Sequence, residues 1–223
     1  MTTAIVSEPT QILEGEHRFL LPGVDWEGYE ALLKMIGDGR TRITYDRGDV
    51  ELMSPSQDHE AYAELIGRII LTVTEELRIP CCSLRSTTWR KKVVDGGLEA
   101  DNCFYLASLA QVGGKKDIDL NIDPPPDLAI EIEISRSALN RLRVYAGLGV
   151  PEVWRFDGER LVVHVLQSDG AYKTVPASPS VPAVRPDEVV RWIHECADGD
   201  QIEWDRRLRA WVRDELLPRH ENR

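Results

Sequence analysis

The sequence lacks long apolar runs, and this absence excludes a membrane-spanning class. No segment of its 223 residues approaches the roughly 18 consecutive apolar residues that a membrane span needs. The first residues, MTTAIVSEPT, lack the basic start and apolar core of a secretory signal. We therefore expect a cytoplasmic protein with no membrane partner.

Cysteines are few and have no metal-binding spacing. The four are Cys81, Cys82, Cys103 and Cys196. They form no CxxC pair and have no histidine at zinc-finger spacing, which argues against both a zinc knuckle and a disulfide framework. We expect free thiols that are buried or partly buried.

Positive charge is also in deficit, because the formal net charge is −11. A protein with a negative surface repels nucleic acid unless its basic residues gather on one face. An acidic cleft that binds a cation would itself contribute negative charge, and the bound ion would invert the local field. The charge therefore disfavours a DNA partner without excluding one.

The length and an apolar fraction of 42% are ordinary for one folded α/β unit with added terminal elements. We predict an N-terminal extension over 1–39, a core over 40–170, and a C-terminal helical extension over 171–223 packed on that core.

The first half of the chain predicts a hairpin, a helix and two strands. Residues 42–45 and 50–53 are β-prone and flank a turn-forming loop of four residues, 46–49. Apolar residues recur every fourth position over 61–77, after the helix-capping sequence Ser54-Pro55-Ser56. A strand over 82–94, a turn at 95–97 and a strand over 98–106 follow. Alternation along this last strand places the following side chains on one face: Leu98, Ala100, Phe104 and Leu106.

The second half predicts a loop, a strand and further helices. Residues 111–123 are glycine- and aspartate-rich and favour a mobile loop. Strict alternation over 127–135 directs Glu131 and Glu133 to one face, and Leu128, Ile130, Ile132 and Ile134 to the other. A helix over 137–148 ended by Gly149 precedes a hairpin, 153–156 with 161–166, and helical segments at 188–196 and 204–217. The fold class is mixed α/β, with a central β-sheet flanked by helices.

Asp101, Glu131 and Glu133 are the acids that could share a site on neighbouring strands. Carboxylates supply the hard oxygen ligands that Mg²⁺ and Mn²⁺ prefer. Two like charges on one face of a covered strand are costly unless water or a cation compensates them. Alternatively, this face is open to solvent and the glutamates serve solubility.

Four segments of the chain form a pattern when they are taken together and in order. They are VELMSP at 50–55 with His59, LEAD at 98–101 with Phe104-Tyr105, PDLAIEIE at 126–133, and YAGLGVPEVW at 145–154. This combination resembles the Uma2 family. The resemblance covers most of residues 40–166 and implies the restriction-endonuclease-like fold of the PD-(D/E)xK nucleases. It also implies an Mg²⁺-dependent endonuclease, with Mn²⁺ as a substitute ion.

Carried over by position, Asp101 and Glu131 match the two acids of the nuclease signature and are expected metal ligands. Glu133, a further ligand, falls where many members of the superfamily have lysine. Arg141, four residues before Tyr145, stands where Uma2-like sequences often have lysine. Arginine can stabilise charge on a phosphate but presents a planar fork and does not deprotonate. Alternatively, Arg141 is an ion-pair partner on the helix surface.

Further residues are candidates for positions near the site. Glu51, His59 and Glu99 are accessory candidates; His59 could bind phosphate, or it could be a solvated residue at the start of a helix. The basic run Arg90, Lys91 and Lys92 could contact the DNA backbone, or could only keep an exposed strand soluble.

The sequence thus predicts a metal-dependent endonuclease that hydrolyses DNA phosphodiester bonds. Two alternatives remain open at this point. One is a catalytically impaired nuclease fold that binds nucleic acid or regulates, and the other is a metal-dependent hydrolase of another phosphoester. A homodimer would suit cleavage of both strands of a duplex.

Overall fold

Two β-sheets and their covering helices make up the computed structural model, which describes residues 16–37, 39–196 and 199–221. The strands are β1 His17–Pro22, β2 Arg42–Asp46, β3 Asp49–Ser54, β4 Cys82–Ser83, β5 Thr87–Lys91, β6 Gly96–Ala100, β7 Asn102–Tyr105, β8 Leu128–Ile132, β9 Glu152–Phe156, β10 Leu161–Leu166 and β11 Tyr172–Val175. The helices are α1 Trp26–Ile36, α2 Gln57–Glu76, α3 Leu109–Val112, α4 Arg141–Leu148, α5 Pro186–Glu195, α6 Gln201–Trp211 and α7 Leu217–Glu221, with a π-helical turn at Val212–Leu216. No helix in these ranges is long and apolar enough to cross a membrane.

The strand order confirms the mixed α/β class, with the strands divided between two sheets. The first sheet has the order β1-β3-β2-β6-β5, and the second has the order β11-β10-β9-β8-β7-β4. Strands β8 and β9 are parallel. The predicted hairpin is β2–β3, and it lies in the middle of the first sheet, because β3 also pairs with β1 and β2 with β6. The division of the chain into a core and two extensions stays a prediction.

The hairpin turn is shorter than the predicted four-residue loop. Asp46 and Asp49 are still paired, so the turn consists of Arg47 and Gly48 alone. Their φ angles are 51° and 94°. Two-residue hairpin turns with positive φ match the right-handed twist of the strands, and glycine accepts that conformation without steric cost.

The strand predicted over 98–106 is two strands, and its side-chain alternation slips at Asp101. Leu98 and Ala100 pack in one buried cluster, while Phe104 and Leu106 pack in another. The prediction that all four share a face was therefore wrong. The chain leaves the first sheet at Asp101 and enters the second, and the bend inserts one residue into the alternation.

The neighbouring strand prediction, 82–94, also fails to hold as one element. Strand β4 belongs to the second sheet and β5 to the first, and Lys92–Val94 is a short 3₁₀ turn. The predicted turn at 95–97 is confined to Asp95, with φ 50°, because Gly96 already lies in β6.

Elements with a strong local pattern occur near where the sequence placed them. Helix α2 begins after Ser56, whose side chain accepts a hydrogen bond from the His59 backbone N–H at 3.1 Å. Gly149 ends α4 in the left-handed conformation, although that helix begins later than predicted. Strand β8 is shorter than predicted because it ends at Ile132, so Ile134 is 40% exposed instead of facing the core.

Several elements had not been predicted. Strands β1 and β11 lie at the outer edges of the two sheets, and α1 packs Trp26 and Tyr29 against the first sheet. The segment 111–123 is partly helical at α3 and buries Val112 and Leu120. Its mobility stays a prediction.

Three buried clusters position the site. The largest lies between the second sheet and helices α2, α5 and α6, and another fills the space between α4, β6 and the opposite face of β8. The third lies under α1. Strand β8 is thus covered on both faces, by α2 on one side and α4 on the other.

Candidate active site

Asp101 lies at the point where the chain crosses between the two sheets. Its backbone N–H donates to the Ile130 carbonyl at 3.2 Å, and its Oδ2 accepts from the Ile132 N–H at 2.6 Å. Its Oδ1 faces the Arg42 guanidinium and lies 2.9 Å from His59 Nε2. The side chain is fully buried. Backbone, cation and imidazole together fix this carboxylate from the interior.

Glu131 lies on the adjacent strand, on the face of β8 that α4 covers. Both of its carboxylate oxygens meet the Arg141 guanidinium, with Nη2 to Oε2 at 2.8 Å. The Tyr145 hydroxyl donates to the same Oε2 at 2.9 Å. Burial raises the pKa of Tyr145 well above its usual value, and the nearby Glu131 adds to the shift. Tyr145 therefore stays protonated and remains a donor to Glu131.

Oxygen atoms surround the Arg141 guanidinium. Its Nη2 also donates to the Glu99 carbonyl at 2.8 Å, and its Nη1 donates to the Thr44 hydroxyl. Burial alone would lower the pKa of Arg141, but the charges of Glu131, Tyr145 and Glu51 and the hydrogen bond to Glu131 together outweigh burial and raise it. The alternative of a helix-surface ion pair is wrong, since Arg141 is 6% exposed and sits on a buried acid.

The remaining acids also have partners. Glu133 pairs with Arg155. Glu51 is buried and accepts from Arg18 at 2.7 Å, from the Ser137 hydroxyl at 2.8 Å and from the Ala138 N–H at 2.6 Å. The expected repulsion between uncompensated carboxylates is therefore absent, because arginines neutralise them individually.

His59 is fully buried and lies between two carboxylates. Its Nδ1 contacts Glu16 and its Nε2 faces Asp101, so the solvated helix-start alternative is wrong. Burial alone would raise the pKa of Glu16, but hydrogen bonds from His59 and Ser135 outweigh it, and the pKa falls to about 2. Glu16 thus remains charged beneath the site at ordinary pH.

Glu99 is half-buried beside both guanidinium groups of the site. Burial raises its pKa, and the positive charges of Arg42 and Arg141 offset this only in part. The backbone carbonyl of Glu99 accepts a hydrogen bond from Arg141, and a backbone contact of this kind cannot be predicted from the residue type.

A cleft of about 440 Å³ opens beside Glu131. Glu131, Arg141 and Tyr145 line it together with Glu133, Arg136 and Arg155, and the segment 137–140 forms one wall. Asp101 is not among the described residues that line this cleft. Of the two signature acids, Glu131 is therefore the one that borders the opening.

The basic run lies elsewhere. Arg90 and Lys91 are on the edge strand β5, and with Lys92 they line a separate groove together with Trp26 and Asp119. Lys92 pairs with Glu27 at 2.7 Å. The structure does not bring these residues to the cleft beside Glu131.

Sequence reasoning missed several residues of the site, among them Glu16, Arg18, Arg42 and Thr44. These four come from β2, β1 and the residue before β1, and they reach partners up to 119 positions away. The buried, charged face of β2 offered one signal, because Arg42 and Thr44 alternate with the apolar residues Ile43 and Tyr45.

Asp101 and Glu131 offer carboxylate oxygens of the kind that a hard cation binds, and both are paired with arginines. Mg²⁺ keeps several waters and is held by one or two carboxylates together with substrate phosphates. Around the Arg141 guanidinium, oxygen atoms come from Glu131, Thr44 and the Glu99 carbonyl, so this position already holds a positive charge. Within the described ranges, no three His, Cys, Asp or Glu side chains gather as a metal-ligand group. An ion here would therefore depend on Asp101 and Glu131 with water and phosphate.

Comparison with known proteins identifies the family. The model of the Uma2 family, described as "Putative restriction endonuclease", matches residues 26–196. The chain belongs to the Uma2 family. Among solved structures, it is similar to the crystal structure of a "putative nuclease belonging to DUF820" from Anabaena variabilis. That match has 17% identity and a TM-score of 0.50, and it covers 68% of this chain and 90% of that one.

The structural match at this low identity supports the fold, and the family membership supports a nuclease function. The curated proteins gave no match. Family and fold agree with the resemblance drawn from the four sequence segments.

Proposed function

We propose that this protein is an endonuclease that hydrolyses DNA phosphodiester bonds with Mg²⁺ or Mn²⁺. Support comes from the Uma2 family and, in the structure, from one arrangement above all. A buried carboxylate, Glu131, and a buried guanidinium, Arg141, lie side by side at the border of an open cleft. Such a pair offers an oxygen ligand for a cation and a donor for a phosphate at the same place.

Asp101 and Glu131 would hold the ion, which when bound activates water and neutralises charge on the phosphate. Arg141 is the candidate for stabilising the negative charge that develops on the phosphate, because its planar fork fits phosphate oxygens as well as a carboxylate. Thr44 and Tyr145 hold Arg141 and Glu131 in place through their hydroxyl groups. The expectation that Glu133 is a further ligand is not part of this proposal, because no three His, Cys, Asp or Glu side chains gather in the described ranges and Glu133 pairs with Arg155.

Arg141 and a cation compete for Glu131. In the described state the guanidinium neutralises both oxygens of that carboxylate. A substrate phosphate is the other group that the guanidinium can bind with two parallel hydrogen bonds. Substrate would therefore draw Arg141 toward the cleft and release Glu131.

Cleavage of supercoiled plasmid by highly purified protein in Mg²⁺ tests the proposal. We expect cleavage by the wild type, little by Glu131→Gln, and loss on adding a chelator. Arg141→Ala should slow single-turnover cleavage by about a hundredfold to a thousandfold, as expected for one preorganised donor. Arg141→Lys should retain or raise the rate, because lysine places a point charge at the same helical position. Equal rates for the wild type and Arg141→Ala would remove Arg141 from the mechanism.

The pairing of each acid with an arginine favours a second candidate, a nuclease fold that binds nucleic acid without cutting it. Plasmid that stays intact with both ions, while the protein still binds it, would establish this alternative. Turnover of a small phosphodiester without DNA binding would instead indicate another phosphoester as substrate.

A further inference from the structure

A second groove continues from the cleft across the second sheet. Its volume is about 550 Å³, and it shares Glu133, Arg136 and Arg155 with the cleft beside Glu131. Beyond these shared residues it reaches Arg160 and His164 on the far side. We call this second space the arginine groove, lined by Glu133, Ile134, Arg136, Arg155, Asp157, Arg160, Val162 and His164.

Strand register explains why the two spaces are continuous. Glu131 on β8 pairs with Arg155 on β9, and Arg155 pairs with Val162 on β10. Paired residues of adjacent strands point to the same face, and neighbouring strands lie about 4.8 Å apart. One row of side chains therefore runs from the candidate active site across three strands.

Two arginines of the groove have no salt bridge in the described part of the chain. Arg136 and Arg160 are both exposed, whereas Arg155 is paired with Glu133. By contrast, Arg209 and Arg213 on the C-terminal helices both pair with Glu76. The pKa of Asp157 is lowered mainly by hydrogen bonds from backbone N–H groups. The charge of Arg160 makes a smaller contribution in the same direction, so Arg160 lies near this carboxylate.

The charge of the combined surface is opposite to that of the whole protein. Cleft and groove together contain four arginines, at positions 136, 141, 155 and 160, and three acids, at positions 131, 133 and 157, which gives a net +1. The entire chain carries −11. Burial, and then the charge of Arg155, lowers the pKa of His164, so this ring adds no charge at neutral pH. When a polyanion approaches an acidic protein, electrostatic attraction steers it to a surface that carries local positive charge.

We infer that the arginine groove holds the phosphodiester backbone of double-stranded DNA and leads it to Glu131, with Arg136 and Arg160 contacting phosphates. This inference rests on the proposed nuclease function, because that function is the reason why the DNA would be led toward Glu131. It replaces the basic run on β5 as the main path of the DNA backbone, because the groove of Arg90 and Lys91 shares no lining residue with the cleft.

Salt-dependent binding of a labelled DNA duplex, measured by fluorescence anisotropy in a chelator, tests the groove without cleavage. The variants are Arg136→Ala, Arg160→Ala and their combination, and the matched control is Arg90→Ala with Lys91→Ala on β5. Each lost phosphate contact should reduce the slope of log K against log salt by about 0.9. We expect a reduction of about 1 for each single variant, about 2 for the pair, and no change for the control.

Several results would overturn the groove assignment: no duplex binding by the wild type, an unchanged slope in the Arg136 and Arg160 pair, or a loss confined to the β5 control. Stronger arginine-dependent binding of an RNA duplex would overturn the choice of DNA. Plasmid cleavage separates this inference from the proposed function. Groove-dependent binding without cleavage would support the arginine groove and reject the endonuclease. Cleavage by the wild type, together with an unchanged salt slope in the Arg136 and Arg160 pair, would support the endonuclease and reject the groove.

Discussion

Asp101 and Glu131 are equivalent in the sequence, as two acids of one signature, but the structure gives them different surroundings. Asp101 is held by Arg42, His59 and a backbone N–H from the neighbouring strand. Glu131 is held by two side chains of one short helix, α4, which also lines the cleft. One acid is fixed by the core, and the other by a helix that borders the opening.

The difference indicates which acid can change partners. The side chains that hold Asp101 have further acidic neighbours, since Arg42 also binds Glu60 at 2.8 Å and His59 contacts Glu16. Arg141 has no second salt bridge among the described residues; its other partners are a hydroxyl and a carbonyl. The Glu131 half of the site is therefore the half that a phosphate or a cation can rearrange.

The largest effect that we predict is the stability cost of Glu131→Gln. This change leaves a buried guanidinium without a carboxylate, which costs about 3–5 kcal/mol in the free energy of unfolding. Asp101→Asn should cost less, on the order of 1–3 kcal/mol, because Arg42 keeps Glu60 and His59 keeps Glu16. Urea denaturation measures both values.

The double variant Glu131→Gln with Arg141→Met is the control for that comparison. Replacing a buried ion pair with neutral groups is often nearly neutral, so the double variant should recover most of the lost stability. If Asp101→Asn lowered the free energy of unfolding as much as Glu131→Gln, the surroundings of Asp101 and Glu131 would not differ in the way described.

A smaller effect should appear in metal binding. Removing the guanidinium in Arg141→Met frees Glu131, so millimolar Mg²⁺ or Mn²⁺ should raise the melting temperature of this variant more than that of the wild type. Stabilisation reaches about 2.7 kcal/mol when the ion is at a hundred times its dissociation constant. Arg42→Met, beside Asp101, is the matched variant and should show the smaller metal response. An identical metal response in all three proteins would contradict competition between Arg141 and the ion.

The smallest effect concerns acid stability beneath Asp101. The pKa of Glu16 is lowered to about 2 in the folded protein, from an ordinary 4.5. The unfolded chain therefore binds more protons between these values, and the stability due to Glu16 is complete above pH 4.5 and is lost as the pH falls toward 2. Unfolding free energies at pH 5 and pH 3 should diverge more in the wild type than in Glu16→Gln. Parallel pH profiles would show that Glu16 does not anchor His59.

Local sequence pattern determined the elements whose structure depends on near neighbours. Three features of this kind were predicted, and each involves contacts within a few residues. They are helix α2 with its Ser56 cap and apolar residues at every fourth position, the alternation along β8, and the end of α4 at Gly149. Likewise, the strand pattern predicted that Asp101 and Glu131 lie near each other, and Asp101 is hydrogen-bonded to Ile130 of the strand that contains Glu131. The alternation slip at Asp101 lay beyond such reasoning, because it results from a chain that passes between two sheets.

The sequence by itself determined the fold class and the family, and it proposed Asp101 and Glu131 as the two signature acids. Tertiary structure alone decided what neutralises those acids and which of them borders a cleft. The reason is that charge pairing acts through space: Arg42 reaches Asp101 across 59 positions, and Thr44 meets Arg141 across 97. No local pattern encodes such distances, and the register of two sheets sets them.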